Sequence, residues 1–114
     1  MEFIFKDINE GFFKAKLSQI KKANGKYGRY LRLIFTIIQE GELYNCRFCG
    51  IVKPNPLKHS KFYRWITNIL GYEPSHKIAT EDIIGKECLI YLAKQNNYYS
   101  VIDVSTNPDS DEHA

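Results

Sequence analysis

Residues 21–38, KKANGKYGRYLRLIFTII, decide how the rest of the chain is read. The stretch opens on a turn signal, Asn24-Gly25, with a second glycine at Gly28. From Tyr30 it alternates: Leu31, Leu33, Phe35 and Ile37 point one way, and Tyr30, Arg32, Ile34 and Thr36 the other. A period of two predicts a half-buried β-strand. Five cations, Lys21, Lys22, Lys26, Arg29 and Arg32, fall in this stretch before any acid, with Tyr27 and Tyr30 among them. A basic, tyrosine-bearing turn thus feeds a strand with one core face and one face carrying a ring and a guanidinium. Rings for stacking beside cations for phosphate are what a single-stranded nucleic acid requires.

Working outward, residues 11–22, GFFKAKLSQIKK, predict the preceding strand, with Phe13, Ala15 and Leu17 opposite Lys14, Lys16 and Ser18. Ile20 breaks the parity, which predicts a bulge before the turn. Downstream, LYNCRFCGIV at 43–52 reads as a third strand. Its parity is taken with Tyr44, Cys46 and Phe48 inward and Asn45, Arg47 and Cys49 outward, since burying Arg47 is costly. Two prolines, Pro54 and Pro56, end it. Ser60 then caps a helix with Phe62, Trp65, Ile66, Ile69 and Leu70 at helical spacing and Gly71 at its end. Trp65 at that spacing reads as core rather than a stacking platform. Thr80-Glu81-Asp82 predicts a short helical piece burying Ile83 and Ile84. Strands four (86–94, with Cys88, Ile90 and Leu92 inward and Leu89, Tyr91 and Ala93 outward) and five (98–105) follow across the turn Gln95-Asn96-Asn97. The facing of the fifth stays open, because Val101, Ile102 and Val104 do not alternate.

With 114 residues, 44% of them apolar, the chain is long enough for one self-sufficient core. One domain is expected over 1–106, followed by an acidic tail, 107–114, too poor in apolar residues to fold. The net charge of +3 hides an asymmetry: thirteen Lys/Arg against five Asp/Glu up to Arg64, then three against eight. One basic face on an acidic remainder is the expectation. Three cysteines make no disulfide framework, MEFIFKD does not resemble a signal peptide, and no run is long enough to span a membrane. A cytoplasmic setting is expected.

Three strands, a helix and two strands follow the element order of the OB-fold, an all-β, five-stranded, partly open barrel (β1-β2-β3-α-β4-β5). The motifs GKYGRYL at 25–31, KFYRWITNILG at 61–71, IIGKEC at 83–88 and YYSVIDV at 98–104 also resemble a group of OB-fold, single-stranded-DNA-binding-like proteins of phages and mobile elements. The resemblance covers roughly residues 11–104 and implies that fold and single-strand binding. On such a barrel the ligand lies across strands two and three, between the loops joining strands one to two and four to five. Mapped here, the expected nucleic-acid-binding residues are Lys22, Lys26, Tyr27, Arg29, Tyr30, Arg32, Arg47, Lys94 and Tyr98. Lys21, Asn45, Cys49, Asn96 and Asn97 flank them, and no acid occupies any of these positions. Arg32 and Arg47 are expected to face each other, a repulsion that a shared anion relieves. Lys14 and Lys16 read as an ordinary wet strand face. Exposed Ile34 and Ile38 either touch bases or form a seam between copies, the seam being favoured.

Other chemistry finds less support. Cys46-x-x-Cys49 suggests a zinc or redox pair, yet residues three apart on a strand face opposite ways about 10 Å apart. His59, His76 and Cys88 offer no second closely spaced pair, so the cysteines read as small apolar residues and no metal or other cofactor is expected. The histidines His59, His76 and His113 lie beside no nucleophile turn, and Gly25-Lys26-Tyr27-Gly28 lacks P-loop spacing. The expectation is a non-enzymatic single-stranded nucleic acid binder, DNA rather than RNA, with low sequence specificity, in replication or recombination. The alternative is a protein-binding OB module acting as subunit or adaptor of a replication-type complex.

Overall fold

A computed structural model describes residues 1–5, 7–75 and 77–108. The expectations for His76, His113 and the tail from 109 to 114 lie outside the described residues. Five strands form one antiparallel sheet: β1 (Gly11–Gly25), β2 (Gly28–Ile37), β3 (Arg47–Val52), β4 (Glu87–Gln95) and β5 (Tyr98–Thr106), in the order β3-β2-β1-β4-β5. Among the described residues one α-helix, α1 (Lys61–Leu70), joins β3 to β4, and a 3-10 turn spans Thr80–Asp82. No helix among the described residues is long and apolar enough to cross a membrane.

Alternation does most of the work. Leu33, Phe35 and Ile37 of β2, Ala15 and Leu17 of β1, and Cys88, Ile90 and Leu92 of β4 are fully buried on one face of the sheet. Each large side chain among them contributes about 1.5–3 kcal/mol of apolar burial. Trp65, Ile66, Ile69 and Leu70 of α1 complete this core. Ser60 Oγ accepts from Tyr63 N at 3.1 Å to start the helix. Gly71, at φ 85°, donates to Thr67 O and ends it. Asn68 Nδ2 donates to Val104 O at 2.9 Å, which ties the helix to β5.

Two bulges explain both breaks in the pattern. The β1–β2 register slips between Leu17 and Gln19, leaving Ser18 as the extra residue, so Ile20 returns to the core face opposite Leu33. The β4–β5 register slips between Tyr91 and Leu92, where Ile102 is the extra residue. Val101 and Val104, three apart, therefore both face inward. Ala93, expected outward, is buried, and Ile84, expected inward, is exposed.

The third strand departs most from its expected course. It begins only at Arg47, because residues 41–45 form turns closed by Tyr44 N to Gly41 O and Cys46 N to Leu43 O. Tyr44 and Cys46, expected in the core, are exposed. Phe48 does pack against the core, followed by Gly50 and Val52. The barrel, moreover, is not closed. β3 and β5 are the two edges of the sheet, with no ladder joining them. They abut through side chains and α1 instead: Gly50 of β3 lies against Val101 of β5 and over the Trp65 ring, and Lys61 Nζ donates to Ile51 O at 3.2 Å, occupying a β3 carbonyl.

Candidate nucleic-acid interface

β1 is longer than its partners. Its pairing with β4 ends at Lys16, and β2's pairing with β3 ends at Leu31, so residues beyond these points run on as a two-stranded ribbon. Lys26 and Tyr27 form its tip between the paired Gly25 and Gly28. The strand thus runs one residue past the expected Asn24-Gly25 turn. Gly28 absorbs the reversal at φ 104°, a conformation costly for any residue with a Cβ. Gly25 is needed for a different reason: a Cβ there would lie 3.0 Å from the ring of Tyr30, which crosses over it.

Residues paired across antiparallel strands share a face. The face away from the core therefore carries, row by row, Ala23 with Tyr30, then Lys21 with Arg32 and Ile51, then Gln19 with Ile34 and Cys49, then Lys16 with Thr36 and Arg47. Lys21 and Arg32 are both exposed and directly opposed, so their charges repel, and no carboxylate stands in their row. A hydrogen bond to Cys49, then that group's charge, raises the Arg32 guanidinium above its ordinary value. Tyr27, 81% exposed, projects at the tip with Lys26 Nζ 5.7 Å from its ring centre. Tyr30 is half-buried against Gly25, one ring face supported by the backbone.

The expected constellation is partly rearranged. Arg47 pairs with Thr36 and Arg32 with Ile51, so the two arginines are not neighbours. The turns over residues 41–45, closed by Asn45 N to Ile37 O and Ile37 N to Cys46 O, set that register and put Arg47 four residues from Arg32 along β2, about 13 Å. The like-charge pair is Lys21 with Arg32 instead. Lys22 and Arg29 fall on the opposite face of the ribbon, with Leu31 and Asn24 as their partners. Lys94 does not sit in a carboxylate-free rim: Asp7 Oδ1 lies 3.9 Å from its Nζ. Tyr98, 77% exposed, stands at the β4–β5 tip beside Gln95. That tip lies past the Gly11 end of β1, whereas the Lys26-Tyr27 tip lies past the other end. Ile34 and Ile38 are half-buried, while Ile51 is 55% exposed, and sequence parity alone would have found Ile51 had β3 been placed in register.

Of the cysteines, only Cys88 is buried; Cys49 is half-buried and Cys46 exposed. Among the described residues no three His, Cys, Asp or Glu side chains gather in a way that could hold a metal ion. Comparison with models of known protein families gives no match, and comparison with curated proteins gives none either.

Proposed function

We propose that the protein is a non-enzymatic single-stranded nucleic acid binder, for DNA with little sequence preference, acting in replication or recombination of DNA or of a mobile element in the cytoplasm. The observation that carries this reading is the opposed pair Lys21 and Arg32, exposed beside Tyr30 with no carboxylate in their row. Two facing cations are destabilising in the free protein and favourable once a polyanion threads between them. Lys22, Lys26 and Arg29 add charge at the ribbon tip, and Arg47 extends the track along the sheet. Tyr27 and Tyr30, with Tyr98 at the far rim, supply surfaces for bases.

The fold is read as OB-type on two supports beyond element order. The strand order β3-β2-β1-β4-β5 leaves β3 and β5 running parallel at the open edges. The seam between them is also staggered. Along the ladder Gly50 leads through Leu33 to Ile20 of β1, yet across the seam it abuts Val101, whose ladder partners are Leu92 and then Gly11. Such an offset is what tilted barrel strands require.

Fluorescence titration with oligo-dT tests the binding. Micromolar or tighter association, lost in a Tyr30→Ala and Arg32→Ala double variant, is the expected result; unchanged affinity in that variant would exclude this surface. A second reading, a protein-binding module, is favoured by exposed Phe3, Ile4 and Phe5 on the N-terminal segment. Light scattering after size exclusion, with and without oligonucleotide, separates the two.

A further inference from the structure

At the far end of the same face from the tyrosines, a groove of about 460 Å³ is lined by Lys16, Ser18, Thr36, Asn45, Arg47 and Gly85, among others. We infer that this groove is a seat for a single phosphate group, with Arg47 and Lys16 as its charges and the Ser18–Thr36 hydroxyl pair as its floor. Arg47, Thr36 and Lys16 occupy one register row on three adjacent strands. Strands lie about 4.8 Å apart, so two long cationic side chains flank a central threonine at the spacing a phosphate bridges. Thr36 is 8% exposed despite its outward parity, because Ser18, the bulge residue, turns its hydroxyl onto it. The two oxygens are 2.5 Å apart and share one hydrogen, which leaves the other hydroxyl hydrogen to be donated into the groove. A bulge that re-aims a side chain at a concave surface is a common device beside binding sites. Asn45 forms part of the wall with a left-handed backbone, φ 66°, fixed by its N–H to Ile37 O at 2.9 Å.

Among the described residues, no carboxylate lines the groove. The nearest by register is Glu87, which pairs with Lys16 from the β4 side; Arg47, at the opposite edge of the row, has no such neighbour in its ladder. The seat therefore leans on Arg47 as its main donor and on Lys16 as a shared one.

The source of the phosphate, a polynucleotide backbone, rests on the function proposed above; the seat itself does not. Isotope-labelled protein titrated with inorganic pyrophosphate and, separately, with oligo-dT distinguishes them. Amide resonances of Ser18, Asn45 and Gly85 should shift with both ligands. Arg47→Gln should abolish the pyrophosphate response and weaken oligo-dT binding about tenfold. Lys16→Gln, an exposed change on another strand, should weaken both to a smaller degree. Shifts with pyrophosphate but none with oligo-dT would uphold the seat and transfer it to a small phosphorylated ligand. Oligo-dT bound at wild-type affinity by Arg47→Gln, with the groove resonances unmoved by pyrophosphate, would overturn the seat while leaving the tyrosine end of the face intact.

Discussion

A methyl group added at Gly50 would sit 2.8 Å from two ring carbons of Trp65 and 3.1 Å from Val101 Cβ, so Gly50→Ala forces β3 away from the helix. Overpacking of this kind costs about 1–3 kcal/mol. Urea unfolding should show a loss in that range, and a variant as stable as wild type would mean that the seam is loosely packed. Cys88 makes a pH-dependent contribution. Burial, and secondarily the charge of Glu87, pushes its thiol up to about 12 from 9.0. Between those values the folded protein retains a proton that the unfolded chain releases, so stability is full below pH 9 and falls as pH rises. From pH 8 to pH 10.5 the wild type should lose about 2 kcal/mol more than Cys88→Ala does. Equal losses would contradict the assignment. Tyr30→Ala should weaken oligo-dT binding by about 1–3 kcal/mol, the worth of one stacked base, without changing the unfolding midpoint by a comparable amount.

Elements differ in how openly the chain announces them. The alternation of Leu31, Leu33, Phe35 and Ile37 could be read directly because from Leu33 onward one face of β2 is core. Ser60 and Gly71 likewise marked both ends of α1, since capping is a local matter. The course of β3 could not be read in the same way. Whether Tyr44 and Cys46 enter the core depends on where residues 41–45 turn, and that is set by hydrogen bonds to Ile37 and Leu43 rather than by periodicity. The same turns shape the site: closing on Ile37, they carry Arg47 opposite Thr36 and leave Arg32 opposite Ile51, so the expected Arg32–Arg47 pair does not form. The setting of Lys94 is hidden for a similar reason: Asp7, whose Oδ1 lies 3.9 Å from its Nζ, comes from a segment without periodic structure. Glycine spacing in the ribbon was more informative. Gly28→Ala, forced to φ near 104°, should lower amide protection in residues 21–32 and weaken oligonucleotide binding several-fold. The cost of such a backbone is about 1–2 kcal/mol. Unchanged protection there would show that the ribbon does not depend on this turn.

At the scale of the molecule, charge and shape act together. The principal extents are 54 × 42 × 21 Å, a flattened body consistent with a curved sheet that extends a two-stranded ribbon. The ribbon and the adjoining β2–β3 face carry most of the cations that the first half of the chain supplies. The later segments bring most of the acids, Glu73, Glu81, Asp82 and Asp103 among them. Asp103 is already engaged by Arg64 at 3.1 Å, a surface pair worth about 0–1 kcal/mol. On the proposed reading, this charge asymmetry raises the capture rate of polyanions at the ribbon, and that rate falls with salt. The decisive measurement is therefore the affinity for oligo-dT across a series of salt concentrations. Five phosphate contacts, from Lys16, Lys21, Lys26, Arg32 and Arg47, give a log–log slope of about −3.5 at about 0.7 per phosphate for single strands. That slope, made shallower by about 0.7 in Arg32→Ala, is the expected outcome. An affinity indifferent to salt, or a slope that Arg32→Ala leaves unaltered, would contradict it.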